Sequence, residues 1–242
     1  MSDRQIVVDD LDKGFGELQV VKGVSFDVAD GEFVAIVGPS GCGKSTLLNV
    51  IAGFERPDSG RITIDGAAVT GPSRNGIMIS QHGSAFPWLT VQDNVVFGLA
   101  GAGPERMELA HRYIDMVGLA GFEKAYPHEL SGGMLKRVEL ARALVVKPKI
   151  LFMDEPFSAL DALMSLRMQT ELRRILDEER HTVLLITHDV EEAIYLADRI
   201  LVLSPRPTTI QKIFPVDLPH PRKLSDPKAI RLREVLLKEL GL

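Results

Sequence analysis

The chain is 242 residues long, 45% hydrophobic, 25% charged and 6% aromatic, and 28 basic against 33 acidic residues leave a formal net charge of −5. That composition excludes a disordered or fibrous chain, and the length suits one large domain or two small ones with a substantial buried core. The acidic balance argues against a protein that binds by neutralising the phosphates of a duplex, so no nucleic-acid partner is expected.

Met1 to Gln5 lead into a strand-like run rather than an apolar leader with a cleavage site, so no signal peptide is expected. No uninterrupted apolar segment approaches the roughly 18–20 residues of a membrane helix. Any membrane span in the working assembly should therefore come from another chain. Residues 5–28 and 61–69 alternate apolar with polar, as in Arg61-Ile62-Thr63-Ile64-Asp65-Gly66, which predicts an antiparallel sheet with one wet face. Cys42 is the only cysteine, so no intrachain disulfide can form and a reducing cytoplasm fits best.

From about residue 88 to 147 the pattern turns helical, with Met107, Ala110, Ile114 and Val117 at helical spacing before Gly118. Four other runs, Phe33 to Val37, Ile150 to Met153, Val183 to Ile186 and Ile200 to Leu203, are apolar throughout and too short for helices. They predict strands buried on both faces in a parallel sheet covered by helices. Such sheets bind ligands beyond the carboxyl ends of their strands, so function is expected just after each run. Pro205, Pro207, Pro215, Pro219 and Pro221 are expected to break regular structure. Ser225 and Pro227 then open a last helix, with Ile230, Val235 and Leu236 expected inward.

The residues after the first buried strand, Gly38-Pro39-Ser40-Gly41-Cys42-Gly43-Lys44-Ser45, satisfy the Gly-x-x-x-x-Gly-Lys-Ser pattern between a strand and a helix. Glycines let such a loop curl so that backbone N–H groups point inward, and the helix start adds its positive dipole end. Lys44 is placed to reach the β- and γ-phosphates of a nucleotide, and Ser45 to ligate Mg2+. Asp154 and Glu155 end the next buried strand. Carboxylates are hard oxygen ligands suited to Mg2+, which Asp154 would hold through water, and Glu155 is placed to polarise an attacking water. The third strand continues into Thr187-His188-Asp189, where an imidazole could hydrogen-bond a γ-phosphate. Leu130-Ser131-Gly132-Gly133-Met134 opens a helix without a lysine of its own, and is either an ordinary capped helix or half of a second anion site.

In their order and spacing these motifs resemble those of the nucleotide-binding subunit of ATP-binding cassette (ABC) transporters, from about residue 5 to about residue 220. Gly38 to Ser45 look like Walker A, Gln81 like the Q-loop, Leu130 to Met134 like the signature, Ile150 to Glu155 like Walker B, Ser158 to Asp161 like the D-loop and His188 like the switch histidine. Phe15 looks like the aromatic that stacks on adenine. The resemblance implies that Glu155, His188, Gln81 and Lys44 carry catalysis and that Ser45, Gln81 and Asp154 surround Mg2+. It places Phe15, Gly38, Pro39, Ser40, Gly41, Cys42, Gly43, Lys44, Ser45, Thr46, Ser131, Gly132, Gly133 and Asp161 around ATP.

The fold implied is α/β: a P-loop NTPase of ABC type with a RecA-like core, an N-terminal antiparallel β-subdomain and a helical subdomain. A single domain over residues 1–242 is expected, with residues 1–87 and 148–215 as a discontinuous core, 88–147 helical and 216–242 a short extension. Because the signature completes the ATP site on a partner's Walker A in that family, a head-to-tail dimer with itself or a homologous subunit is implied.

Phe86-Pro87-Trp88-Leu89, the methionine Met134 and the Leu203-to-Pro207 and Val216-to-Pro219 stretches look like the nitrate/sulfonate/taurine importer subfamily. This implies a permease partner, an indirect relation to an extracytoplasmic solute-binding protein, and a peripheral location on the cytoplasmic face of the inner membrane. Phe86, Trp88 and Leu89 belong either to a permease groove or to the helical-subdomain core. Leu135-Lys136 stand where the family more usually has Arg-Gln, and Thr208-Thr209 where it often has Gly-Arg. The same motifs would also serve an ABC ATPase of a soluble assembly or regulatory complex.

Overall fold

A computed structural model describes residues 4–73, 75–81, 83–99 and 103–242. In chain order the elements are β1 (Arg4–Phe15), β2 (Leu18–Ala29), β3 (Phe33–Val37), α1 (Lys44–Ile51), β4 (Ser59–Ile64), β5 (Ala67–Ala68), β6 (Gly76–Ile79), α2 (Val91–Val96) and α3 (Pro104–Met116). A 3-10 turn at Pro127–Glu129 precedes α4 (Gly132–Leu144), β7 (Ile150–Asp154), α5 (Ala162–Glu178), β8 (Thr182–Ile186), α6 (Val190–Leu196), β9 (Arg199–Leu203), β10 (Ile210–Pro215) and α7 (Pro227–Glu239). The chain divides into two compact units, Met1–Gly76 with His181–Leu242, and Ile77–Arg180.

In the first unit the alternating N-terminal segments pair antiparallel in the order β2-β1-β4-β5, with Val8 opposite both Phe26 and Ile62. All three side chains are buried, so the apolar half of the alternation faces one way. The continuous apolar runs form the second sheet of this unit, in the order β10-β9-β3-β8. Here β3 lies parallel to both neighbours, Ile36 facing Ile186 on one side and Leu201 on the other.

Two expectations for the C-terminal region are corrected. Residues 210–215 form a strand, antiparallel to β9 with Phe214 opposite Ile200. Proline is tolerated because β10 is an edge strand and Pro215 is its last residue, while Pro205, Pro207, Pro219 and Pro221 lie outside it. In α7, Asp226 supplies the cap, accepting from Lys228 N–H at 2.8 Å, and Pro227 takes the first helical position. Leu236 is fully buried and Ala229, two turns earlier, is 2% exposed; Ile230 and Val235 are each 41% exposed and flank that stripe rather than belonging to it.

The second unit holds β6 and the fully buried β7 as neighbours, with α2 to α5. Ala110, Ile114 and Val117 are buried along α3 and Met107 is half-buried. The helix ends as Gly118 takes φ +67°, with Leu119 N–H donating to Ile114 O and Gly118 N–H to Asp115 O, both at 2.9 Å. Arg137 of α4 donates to the carbonyls of Val117 and Gly118, satisfying that helix end with a cation. Among the described residues no helix is long and apolar enough to cross a membrane.

Candidate nucleotide site

In the first unit β3 runs into the glycine loop, and the backbone there explains the residue types. Gly41 and Gly43 adopt φ +70° and +122°, and a Cβ at Gly43 would fall 2.6 Å from Val20 Cγ1, so only glycine fits. Among the described residues no side chain caps the start of α1, whose first N–H groups face the loop as donors. Lys44 is 7% exposed and its ammonium donates to the carbonyls of Gly38 at 2.9 Å and Pro39 at 3.0 Å, which holds a positive charge at the loop. Ser45 and Thr46 follow in the first turn, half-buried; Ser40 and Gly41 are exposed. Cys42 is buried as a small filler, its Sγ 3.3 Å from where a Cβ of Gly38 would lie.

A brace for this loop escaped the sequence reading. Thr208, fully buried, donates its hydroxyl to Cys42 O, while its N–H donates to Val20 O at 2.8 Å and its carbonyl accepts from Lys22 N–H at 2.9 Å. The only signal was a hydroxyl residue where glycine is usual in the family resembled. His188 leaves β8 beside the end of β3, because Thr187 N–H donates to Ile36 O at 3.3 Å. The imidazole is therefore exposed on the same carboxyl edge as the loop. Phe15 ends β1, 49% exposed, with Lys13 Nζ over its ring at 5.0 Å from the centroid, an accessible aromatic carrying a cation on one face.

In the second unit Asp154 closes β7, 5% exposed, and Glu155 follows at φ +48° ahead of Pro156. A non-glycine residue in the left-handed region costs of order 1–3 kcal/mol and is found disproportionately at functional sites. Gln81 Nε2 donates to Glu155 Oε2 at 3.1 Å, which turns the amide oxygen of Gln81 to the other side. Ser158 donates to Glu155 O at 3.0 Å. Ser131 caps α4 by accepting from Met134 N–H at 3.3 Å, with Gly132 exposed beside it. Gly133 lies against the following turn, a Cβ there being 3.1 Å from Ala159 O and 3.3 Å from Leu160 Cδ2. Asp161 caps α5, accepting from Met164 N–H at 3.0 Å. The structure thus brings Gln81 to Glu155 and the Gly133 region to the Ser158-to-Asp161 turn.

The hydroxyl of Ser45 in the first unit and, in the second, the amide oxygen of Gln81 and the carboxylate of Asp154 are each hard oxygen donors, the chemistry that Mg2+ prefers. Among the described residues no group of three or more His, Cys, Asp and Glu side chains gathers as a metal cage. Mg2+ bound with a nucleotide needs none, since it uses one or two protein oxygens with phosphate oxygens and water.

The second unit also carries an aromatic cluster. Phe86 lies with its centroid 4.5 Å from Phe97 and 5.6 Å from Trp88, and the Arg142 guanidinium sits 4.8 Å over its ring. Burial lowers the pKa of Arg142, with the charge of Glu139 opposing that shift. Trp88 is 70% exposed and Phe97 60%. Phe86 and Phe97, with Ile77, Arg142 and Val146, line a cavity of about 180 Å³ that Trp88 and Leu89 do not line. Phe97 was not singled out in the sequence.

Comparison with known proteins gives this geometry its context. The profile of the family described as ABC transporter matches residues 21–158. The nitrate import ATP-binding protein NrtD of Synechocystis is 49% identical over 219 residues, covering 88% of this chain and 82% of that protein. The aliphatic sulfonates import ATP-binding protein SsuB of Bacillus licheniformis is 44% identical over 227 residues, covering 94% and 89%. Among solved structures, the dimeric post-hydrolysis state of the ATP-binding cassette MJ0796 bound to ADP and Pi superposes with a TM-score of 0.78 at 29% identity, covering 87% of this chain and 98% of that one. With more than half of its length matched by the family profile, and relatives above 40% identity spanning most of both sequences, the chain belongs to the ABC transporter family.

Proposed function

We propose that this chain is the ATP-hydrolysing subunit of an ABC importer. It dimerises head-to-tail around ATP on the cytoplasmic face of the inner membrane and drives a separate permease for nitrate, a sulfonate, taurine or a related small solute. The observation that carries the reading is the phosphate loop. Left-handed Gly41 and Gly43, an uncapped helix start and the buried Lys44 ammonium together make a polyanion cradle. The relatives named for nitrate and sulfonate import point to the substrate class.

In this reading Phe15 stacks on adenine, and Gly38, Pro39, Ser40, Gly41, Cys42, Gly43, Lys44 and Thr46 wrap the phosphates. Ser45, Gln81 and Asp154 would hold Mg2+, which when bound neutralises charge on the β- and γ-phosphate oxygens. Glu155 takes the proton of the attacking water, and His188 hydrogen-bonds the γ-phosphate. Phosphoryl transfer asks the protein chiefly for positioning and charge stabilisation, and these residues supply both. Ser131, Gly132, Gly133 and Asp161 serve the ATP of the partner protomer, so two nucleotides glue two subunits and hydrolysis releases them. The exposed Phe97, which lines the cavity, and the exposed Trp88, whose ring meets Phe86, offer the permease an apolar, aromatic contact, a composition favoured at interfaces.

The test is to tag this chain, extract membranes in detergent and assay what travels with it. Co-purification of an integral-membrane permease, with ATPase activity lost in Glu155→Gln while ATP binding persists, supports the reading. Soluble partners alone with persistent ATPase activity would point to an assembly or regulatory ATPase instead. A fully active Glu155→Gln variant would remove Glu155 from its role.

A further inference from the structure

Lys136 and Glu139 form an ion pair inside the second unit, Nζ to Oε2 3.3 Å, with side chains 8% and 1% exposed. Burying two charges costs several kcal/mol per ion unless their remaining hydrogen-bonding capacity is met, and apolar residues of similar volume usually serve stability as well or better. Here that capacity is spent outside the helix. Lys136 Nζ donates to Ser80 O at 2.7 Å. Glu139 Oε1 accepts from the N–H of Ser84 and, at 3.2 Å, from that of Ala85. Arg142, one turn further along α4, adds a bond to Ser84 Oγ at 2.6 Å.

Ser80, Ser84 and Ala85 lie between β6 and α2, in neither helix nor strand, where backbone groups find no ladder partners and need others. Gln81 sits inside this stretch, directly after the carbonyl that Lys136 holds, and its amide donates to Glu155 at 3.1 Å. The chain is thus fastened to α4 immediately before Gln81 and again a few residues after it. The first turn of that same helix presents Gly132 and Gly133.

We infer that the buried Lys136–Glu139 pair is a positioning device that sets Gln81 against Glu155 by fastening the Gln81 segment to the helix that carries Ser131, Gly132 and Gly133. It rests on the proposed roles of Gln81 and Glu155 in hydrolysis. Loosening the pair leaves the phosphate loop untouched and displaces Gln81, so turnover and Mg2+ use suffer while ATP binding does not.

The full chain is assayed as wild type, as the neutral double variant Lys136→Met/Glu139→Gln and as Lys136→Gln/Glu139→Gln. Neutralising both partners leaves neither Lys136 nor Glu139 as a lone buried charge, both variants share the same loss of the Glu139 charge beside Arg142, and the second variant restores an N–H donor near Ser80 O. The Met-containing variant is expected to lose about tenfold in kcat with the KM for ATP within about twofold of wild type. Its half-saturating Mg2+ concentration should rise, and the Gln/Gln variant should recover most of the loss. Three results would overturn the inference: kcat unchanged, kcat falling only as far as a lowered melting temperature accounts for, or no difference between the two variants. A wild type that binds no ATP or hydrolyses none overturns the ATPase reading itself, and the inference with it.

Discussion

The hydroxyl of Thr208 donates to the carbonyl of Cys42, so a residue 166 positions further along the chain braces the phosphate loop. The backbone of Thr208 is at the same time spliced onto β2, between Val20 and Lys22. A Cβ at Gly43 would meet both Val20 and the Thr208 hydroxyl. The loop's curl is therefore enforced by two other segments of the first unit as well as by its glycines.

Replacing Thr208 by valine keeps the shape and removes the hydroxyl, leaving a buried carbonyl unsatisfied. Such a group costs about 1–3 kcal/mol. Thr208→Val should unfold at lower urea than wild type by about that amount, and Thr208→Ser should lie between the two. A valine variant as stable as wild type would show that the Cys42 carbonyl finds another partner.

Lys44 gives a second outcome, because among the described residues its ammonium donates to the loop carbonyls of Gly38 and Pro39 while its stem is packed. Lys44→Met preserves the stem but takes the donor from the Gly38 and Pro39 carbonyls, so stability should fall by about 1–3 kcal/mol alongside the affinity. A charge-assisted hydrogen bond contributes about 1.5–3 kcal/mol, which converts to a loss of about ten- to a hundredfold in ATP affinity. Calorimetric titration with ATP checks it; undiminished affinity would detach Lys44 from the phosphates.

Legibility in the sequence followed the range of the interaction. The glycine loop was readable because its chemistry is written in eight consecutive residues, and β3, β7, β8 and β9 because each is a short continuous apolar run. The strand β6 escaped notice, being four residues long with three of them only half-buried. β10 was hidden by the prolines around it, whose breaking power depends on which strand edge is paired. Thr208 and the Lys136–Glu139 pair draw their meaning from partners far away in the chain, Cys42 for Thr208 and Ser80 to Ala85 for the pair. No local pattern announces such contacts.

The corrected face of α7 can be tested by two alanines one residue apart. Leu236 is fully buried and Val235 is 41% exposed. Leu236→Ala should cost about 2–5 kcal/mol in denaturant unfolding, the usual range for a core leucine. Val235→Ala should change stability by about 0.5 kcal/mol or less. Equal losses would mean that the helix buries both positions.

Asp12 supplies a pH dependence of definite sign. Its carboxylate accepts from Gly23 N–H at 2.7 Å and from the Ser59 hydroxyl at 2.9 Å, linking β1 to β2 and β4. Those bonds, the Gly23 one foremost, hold its pKa below the ordinary aspartate value, with the nearby Lys22 adding a smaller pull. A carboxylate whose pKa is depressed on folding stabilises the fold fully above its unfolded-state pKa, and that contribution is lost as pH falls through the folded value. Glu32 runs the other way, since burial raises its pKa, so the acid response of the whole protein mixes the two. The difference between wild type and Asp12→Asn isolates one group. Urea midpoints across acid pH should show the variant less stable at neutrality, with the gap closing as the medium is acidified below the ordinary aspartate range. A gap of constant size would mean that the Gly23 and Ser59 bonds do not depend on the charge of Asp12.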